Sequence, residues 1–412
     1  MVNFNKIILF FLLVINTCDV YAIIDNRFIP LYRQIFNHYT DKKSAFGANL
    51  FFVTGKSARD QAGEDVSVAE LNGKYDLIVV GQSMEKAGLE NPILDQLQTK
   101  PHIIFDLDGK LEAQGLWVGY EQALGQHLGL GANIYMMHIT SRQDFNISES
   151  LIKDLKLLDG MENILRKNQR DANDIMGLKF GQFSKTGFSD LDFYFRIGNV
   201  VDYYYKFKRI DYGICFGILV PVGPKIELDN PASIPFGGLN GLFGIYSMAD
   251  FTFELKEDLV VGLWIQICQR FEKTQKSRIP VGLEPIEFAP LAGPVHVKPG
   301  ITFGISPYIA LEDLMNGFGF KARYTFVLHE HDNLIDMRPD KTVPSKLRPT
   351  IDNSGWIAEY ATISGLYDFS KTNKPRKFAP LVYLDWDIPV NVFGARGVAK
   401  TNRVSLGMEI DF

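Results

Sequence analysis

The sequence predicts an all-β protein: a closed antiparallel transmembrane β-barrel of about twelve strands, with a short N-terminal helix and a helical outer loop. Three observations carry the prediction. About twelve segments alternate apolar and polar residues over roughly the 9–11 positions that a tilted membrane strand requires. The connections between these segments are alternately long and short. The final segment, Asn402 to Phe412, sets Val404, Leu406, Met408, Ile410 and Phe412 against Ser405, Gly407, Glu409 and Asp411.

The other end of the chain points to export. Asn3 and Lys6 precede an apolar run from Ile7 to Ile15, and Val20-Tyr21-Ala22 offers small residues where a signal peptidase cuts. A helix needs roughly 20 residues to span a bilayer, so residues 1–22 read as a cleaved signal peptide and not as an anchor. Cys18 is not read as a lipid attachment site, because Ile15-Asn16-Thr17 lacks small residues. Residues 23–43 form an N-terminal periplasmic or plug segment, where Phe28, Leu31, Tyr32, Ile35 and Phe36 recur at helical spacing between Asp25 and Lys42. Residues 44–412 form the barrel. After Ala22 no apolar stretch reaches helix-spanning length, so a membrane-inserted chain crosses as strands. A mean hydropathy near zero, with 13% aromatic residues and 36 glycines, suits apolar positions facing lipid in alternation with polar positions facing a lumen. The net charge of -5 argues against a nucleic-acid partner.

The strands fall near 44–54, 111–124, 126–140, 189–198, 209–222, 241–255, 258–271, 299–310, 316–328, 355–368, 378–390 and 402–412. Strands two and three are joined by almost nothing, whereas more than fifty residues separate strands one and two, and this contrast repeats along the chain. Outer-membrane barrels have short periplasmic turns and longer outer loops, with both termini periplasmic when the strand number is even. Tyr203, Tyr204 and Tyr205 lie in one short turn and Tyr367, Phe369 and Phe378 flank another, as an aromatic rim requires. Export, alternation, connection lengths and a Phe-ended last strand together resemble the β-barrels of Gram-negative outer membranes, in their porin-like class. That resemblance implies a bacterial outer-membrane location, with outer-membrane lipid and small solutes as partners; a homo-oligomer is compatible with it.

Several segments lie outside the barrel pattern. In the second outer loop, Asn146 and Glu149 have capping-box spacing, and Leu151, Leu155, Leu158, Met161 and Leu165 mark one face of a helix that would serve as a lid or constriction. In the first outer loop, Tyr75 to Gly81 reads as a short strand and Ile103 to Asp106 as another. Strand ten is the weak point of the register. With Ile357, Ala361 and Ile363 outward, Glu359 faces lipid unless a bulge near Tyr360 intervenes.

A search for chemistry gives no catalytic residues. His138 and Ser141 stand three residues apart on a strand, so their side chains point to opposite faces, and a resemblance to outer-membrane phospholipases fails there. His329-Glu330-His331 with Asp332 has metal-binding residue types but reads as a solvated polar cluster at a strand end; no metal or cofactor is expected. Cys215 and Cys268 fall on the inward registers of strands five and seven, roughly 9–10 Å apart, and should stay reduced. The candidate functional residues are those that alternation turns inward. On strands four to seven these are Asp192, Arg196, Arg209, Asp211, Asp250, Glu254 and Arg270. On strands nine to twelve they are Lys321, Arg323, Asp385, Asp387 and Glu409. Charges of both signs suit a water-filled interior that selects by size and field. The expected function is passive diffusion of small hydrophilic solutes through a charged lumen. The alternatives are a non-conducting surface or adhesion protein acting through its long outer loops, and a fatty-acid-type transporter of hydrophobic solutes.

Overall fold

Backbone N–H and C=O groups that cross a bilayer must be bonded within the protein, and a sheet achieves this by closing on itself. In the computed structural model, which describes residues 25–30, 44–93, 101–147, 161–179, 181–256, 259–371 and 379–412, twelve antiparallel strands close in this way. They are β1 (Ser44–Gly55), β2 (Ile104–Ala123), β3 (Leu128–Ile147), β4 (Asp190–Tyr204), β5 (Phe207–Pro221), β6 (Gly244–Lys256), β7 (Leu259–Arg270), β8 (Thr302–Met315), β9 (Phe318–His329), β10 (Trp356–Asp368), β11 (Leu381–Pro389) and β12 (Asn402–Asp411). Each pairs with the next, and β12 closes on β1 from Ala45↔Asp411 to Thr54↔Asn402. All twelve lie where the alternation places them. The short turns gather at one end with Ser44 and Phe412, which by the rule for such barrels is periplasmic, and the long loops gather at the other.

The alternation sorts side chains as a membrane demands. Leu50 and Phe52 on β1 are 55% and 63% exposed on the outer face, whereas Phe51 and Val53 between them are buried within. Leu116, Leu130, Phe193, Phe195, Leu384, Trp386, Val404 and Leu406 extend the exposed apolar belt around the wall.

Twelve strands leave a narrow interior, and large inward side chains fit because small ones face them. Four inward tyrosines lie flat across glycines on the neighbouring strand: Tyr194 over Gly131, Tyr246 over Gly217, Tyr308 over Gly262 and Tyr383 over Gly407. A Cβ at any of these glycines would come within 2.1–2.3 Å of the ring. Each hydroxyl then reaches the strand beyond the glycine. Tyr194 donates to Glu121 Oε2 at 2.7 Å, Tyr246 donates to Asp192 Oδ2 at 3.0 Å, Tyr308 bonds the Thr252 hydroxyl at 2.7 Å, and Tyr383 bonds the Asn49 side chain. Every such lace spans three strands, and each hydrogen bond contributes about 1 kcal/mol.

Three expectations need correction. Tyr75 to Gly81 is not a strand beyond its first two residues. Asp76 Oδ1 accepts from Ile78 N at 3.0 Å and starts helix α1 (Leu77–Lys86), so an N-cap overrides a β-branched run. Asn146 does not cap the second-loop helix. It lies in β3, opposite Asp106, because β2 and β3 each run for 20 residues and stand above the wall, absorbing the strand expected at Ile103 to Asp106. The helix of that loop, α2 (Met161–Ile175), buries Leu165 as expected; residues 148–160, with the rest of its expected apolar face, lie outside the described residues. Third, no bulge occurs near Tyr360. β9 and β10 pair without a break from Phe318↔Tyr367 to His329↔Trp356, and Glu359 does face outward. It is buried because the chain after β11 folds over it. Val392 N and Phe393 N donate to its carboxylate at 2.7 and 2.9 Å, and Tyr324 OH donates at 2.7 Å.

The outer loops build a cap with its own apolar core. Tyr75, Phe105, Phe145 and Phe288 meet edge to face with centroids 4.8–6.1 Å apart, and Leu77, Val80, Met84, Leu165 and Ala172 from α1 and α2 pack around them. Cys215 and Cys268 are buried, reduced thiols with β6 between their strands.

The laces predict a selective steric defect. Gly262→Val should cut the fraction of barrel that keeps its folded mobility in unheated SDS gels by roughly tenfold, since overpacking costs about 1–3 kcal/mol. Adding Tyr308→Ala should restore it. Gly365→Val, at a lipid-facing glycine whose Cβ would meet nothing within 4 Å, should leave it unchanged.

Candidate functional site

The inward registers of the strands divide the lumen into two halves. Toward the loops, Phe51, Trp117, Tyr135, Met137, Met248 and Leu219 are buried together, because the inward positions of β1 to β3 are largely apolar, not polar as expected for a water-filled interior. Toward the short turns lies a chamber of about 120 Å³. Its walls carry Asp211, Asp250, Thr252, Tyr308, Glu312, Lys321, Arg323, Ser364, Tyr383, Asp385 and Glu409, and Trp264 stands where it meets the apolar half. Lys321 Nζ sits 4.5 Å above the Tyr308 ring, and Glu312 is paired with Lys371 at 2.7 Å.

Charged residues form pairs that cross strands. Arg196 on β4 donates to Asp211 on β5 at 2.8 Å and to Asp250 on β6 at 3.1 and 2.5 Å. Its guanidinium fits because Gly198 and Gly213 lie beneath it, a Cβ at either falling within 2.5 Å of its atoms. On the opposite wall Asp387 receives Arg403 Nε at 2.5 Å and the Thr362 hydroxyl at 2.5 Å, with Arg323 at 3.5 Å. Asp192 accepts from Asn133 Nδ2 at 3.0 Å as well as from Tyr246. Arg209 and Glu254 stand at the short-turn mouth, bonded to Asp202 at 2.6 Å and to Lys208 at 3.0 Å. Asp385, Lys321 and Glu409 line the chamber. Arg270 is elsewhere, at the loop end.

There it anchors residues 25–30. Arg270 Nε and Nη2 donate to the two Asp25 oxygens at 2.6 and 3.0 Å, Nη2 also to Asp190 Oδ2 at 2.6 Å, and Nη1 to the Leu242 carbonyl at 2.7 Å. Asn26 donates to Pro235 O at 3.0 Å, its own Oδ1 accepts from Phe28 N and Ile29 N, and Ala399 N donates to Arg27 O at 3.0 Å. Ile29 is buried in the same apolar cluster as Trp117. These six residues form a bend, not the start of a helix, and the rest of the helix expected up to Lys42 lies outside the described residues. The partners of this bend named above are at the loop end, whereas Ser44 bonds Phe412 at the opposite end. Arg27 continues the anchor into the cap through Asn353 O at 2.8 Å and through Asn72, which in turn bonds Glu287. Burial holds the Glu287 carboxyl above its usual 4.5 and pulls the Arg27 guanidinium below its usual range.

Asp190, Arg403, Glu121, Asn133 and Glu312 belong to these networks but were not among the expected residues; inward register was the available signal for those on strands. Asp25 carried none, since its partners are more than two hundred residues away. His329 is not solvated. It stacks on Trp356 at 5.5 Å and bonds the Thr302 hydroxyl at 2.7 Å. Among the described residues no group of metal-ligating side chains converges. His138 faces outward to Thr186 at 2.9 Å, away from buried Ser141.

A closed sheet with an apolar outer belt and an inward array of bonded polar groups defines a transmembrane β-barrel of the bacterial outer membrane. Its likeness to solved structures agrees on the fold. The chain is similar to the COG4313 outer membrane channel from Pseudomonas putida F1, with a TM-score of 0.52 at 10% identity over 92% of this chain and 100% of that one. Weaker likenesses are to a TodX ΔS2S3 mutant monoaromatic hydrocarbon channel (TM-score 0.38, 13% identity, 91% and 92% covered) and to the translocator domain of the autotransporter NalP from Neisseria meningitidis (0.36, 10%, 91% and 90%). No known protein family matches the chain, and no curated protein matches it in sequence.

The raised Glu287 carboxyl gives the cap a pH dependence. The folded cap holds this proton more tightly than the unfolded chain, so the associated stability is complete below pH 4.5 and is lost as pH rises through the folded value. Hydrogen exchange across Ile286–Phe288, corrected for intrinsic rates, should show protection that declines with rising pH, and Glu287→Gln should flatten the decline.

Proposed function

We propose that the protein is a gated outer-membrane channel for small hydrophilic solutes, closed in the state described above. The chamber carries the reading: five carboxylates, two cations and several hydroxyls line it beside Val260, Ala310, Leu366 and Leu381, and these polar groups can replace the hydration of a polar solute. The apolar packing and the anchored bend of residues 25–30 close the loop half, and the bend is held chiefly by one guanidinium. Removing one partner of a buried ion pair costs about 3–5 kcal/mol, enough to release a bend of this size. A second reading, a non-conducting surface protein, is favoured by the cap, whose aromatic core makes a rigid outer face suited to binding. The apolar loop half likewise favours a route for hydrophobic solutes.

Planar-bilayer recording separates these. The wild-type protein should conduct rarely, and Arg270→Ala should raise its open probability by roughly tenfold, about 1.4 kcal/mol of gating free energy. Lys321→Glu in that background should shift selectivity toward cations. Silence in both proteins at every voltage would leave the surface reading standing. Uptake of an alkane-chain probe with no ionic conductance would favour the hydrophobic route.

A further inference from the structure

The chamber holds opposite charges that share one row of the wall and are kept apart. Register aligns Lys321 on β9 with Ser364 on β10 and Ser364 with Asp385 on β11, and all three line the chamber. Neighbouring strands lie about 4.8 Å apart, so Lys321 and Asp385 start roughly 10 Å apart with only the short Ser364 side chain between them. Lys321 does not close that gap. Its neighbour on β8 is the small Ala310, and its ammonium rests on the β8 side, 4.5 Å from the centre of the Tyr308 ring. That ring is itself fixed, flat over Gly262 on β7 and bonded through its hydroxyl to Thr252 at 2.7 Å.

The other inward cations of the strands are matched with carboxylates: Arg196 with Asp211 and Asp250, Arg209 with Asp202, Arg270 with Asp25 and Asp190, and Arg323 and Arg403 with Asp387. Among the described residues Lys321 is the inward strand cation with no carboxylate within ion-pair distance. An aromatic face offers it a quadrupole, not a counter-charge, and a cation in a confined interior needs an anion. Three of the chamber's five carboxylates are committed, Asp211 and Asp250 to Arg196 and Glu312 to Lys371; Asp385 and Glu409 line it from β11 and β12. We propose that the solute of this chamber is a small zwitterion, its carboxylate on the Lys321 ammonium and its cationic group against Asp385, in the gap above Ser364. A simple anion there would also meet Asp385 and Glu409, and a simple cation would also meet Lys321. A solute carrying both charges satisfies each end. The assignment rests on the reading of the chamber as a solute site and names the class of solute.

The test titrates the detergent-purified barrel with carbon-13 glycine and follows the line width of the free amino acid. Labelled acetate and methylammonium, which carry one charge each, are titrated alongside. Glycine should bind roughly tenfold more tightly than either. Lys321→Met breaks no ion pair, so the barrel should keep its folded gel mobility while glycine binding weakens roughly tenfold. Ser364→Leu fills the gap with both charges in place and should abolish glycine binding. Acetate or methylammonium bound as tightly as glycine, or glycine binding indifferent to Lys321→Met, overturns the zwitterion assignment. Line widths report binding whether or not the pore opens. Silent bilayers with an intact glycine site would therefore sink the channel reading alone, and a conducting barrel that binds no glycine would sink the zwitterion alone.

Discussion

Ring closure governs this molecule. Once β12 bonds β1, the wall has no free edge and its backbone is satisfied in lipid, but the interior is fixed at the width twelve strands allow. Every inward side chain then has to fit across a confined space, and the tyrosine–glycine pairs are the solution repeated around the ring. A flat ring laid over a bare backbone position fills volume without pushing the strands apart, and its hydroxyl ties a third strand. The same economy of space seats Arg196 over Gly198 and Gly213.

Confinement also explains why the charges are paired. A carboxylate or guanidinium in a narrow, low-dielectric interior is retained only with partners, and the three arginine-centred groups each span several strands. Two of them hold one wall to its neighbours. The third, at Arg270, holds a segment from outside the sheet. The chamber shares its walls with two of these groups: Asp211 and Asp250, bonded to Arg196, and Arg323, beside Asp387, all line it.

Much of this was legible in the sequence, for definite reasons. A period of two is imposed by lipid on one face, so Leu259 to Arg270 or Arg209 to Val222 reveal both strand and facing without knowledge of the rest. Connection lengths revealed which end carries the loops. Local chemistry was less reliable where tertiary context competes. Tyr75 to Gly81 has strand-forming residues, yet Asp76 turns it into a helix that the cap core then buries. Phe105 and Leu107 alternate like membrane residues but face the cap, which is why β2 outruns the segment assigned to it. Glu359 was correctly suspect; its remedy came from Val392 and Phe393, more than thirty positions on, which no local pattern encodes. The grip of Arg270 on Asp25 was invisible for the same reason.

β11 has a consequence for how the cylinder holds under load. Its ladder to β12 runs only from Leu381↔Glu409 to Asp387↔Arg403, whereas β2 and β3 pair from Phe105↔Ile147 to Ala123↔Gly129. Above Pro389 the stave is replaced by a strip of irregular chain, fastened by the bridge between Ile357 and Arg396 and by the carboxylate of Glu359. Interstrand bonds are what resist tearing, so a pull on the outer rim at this stave is borne by these few contacts and not by a ladder.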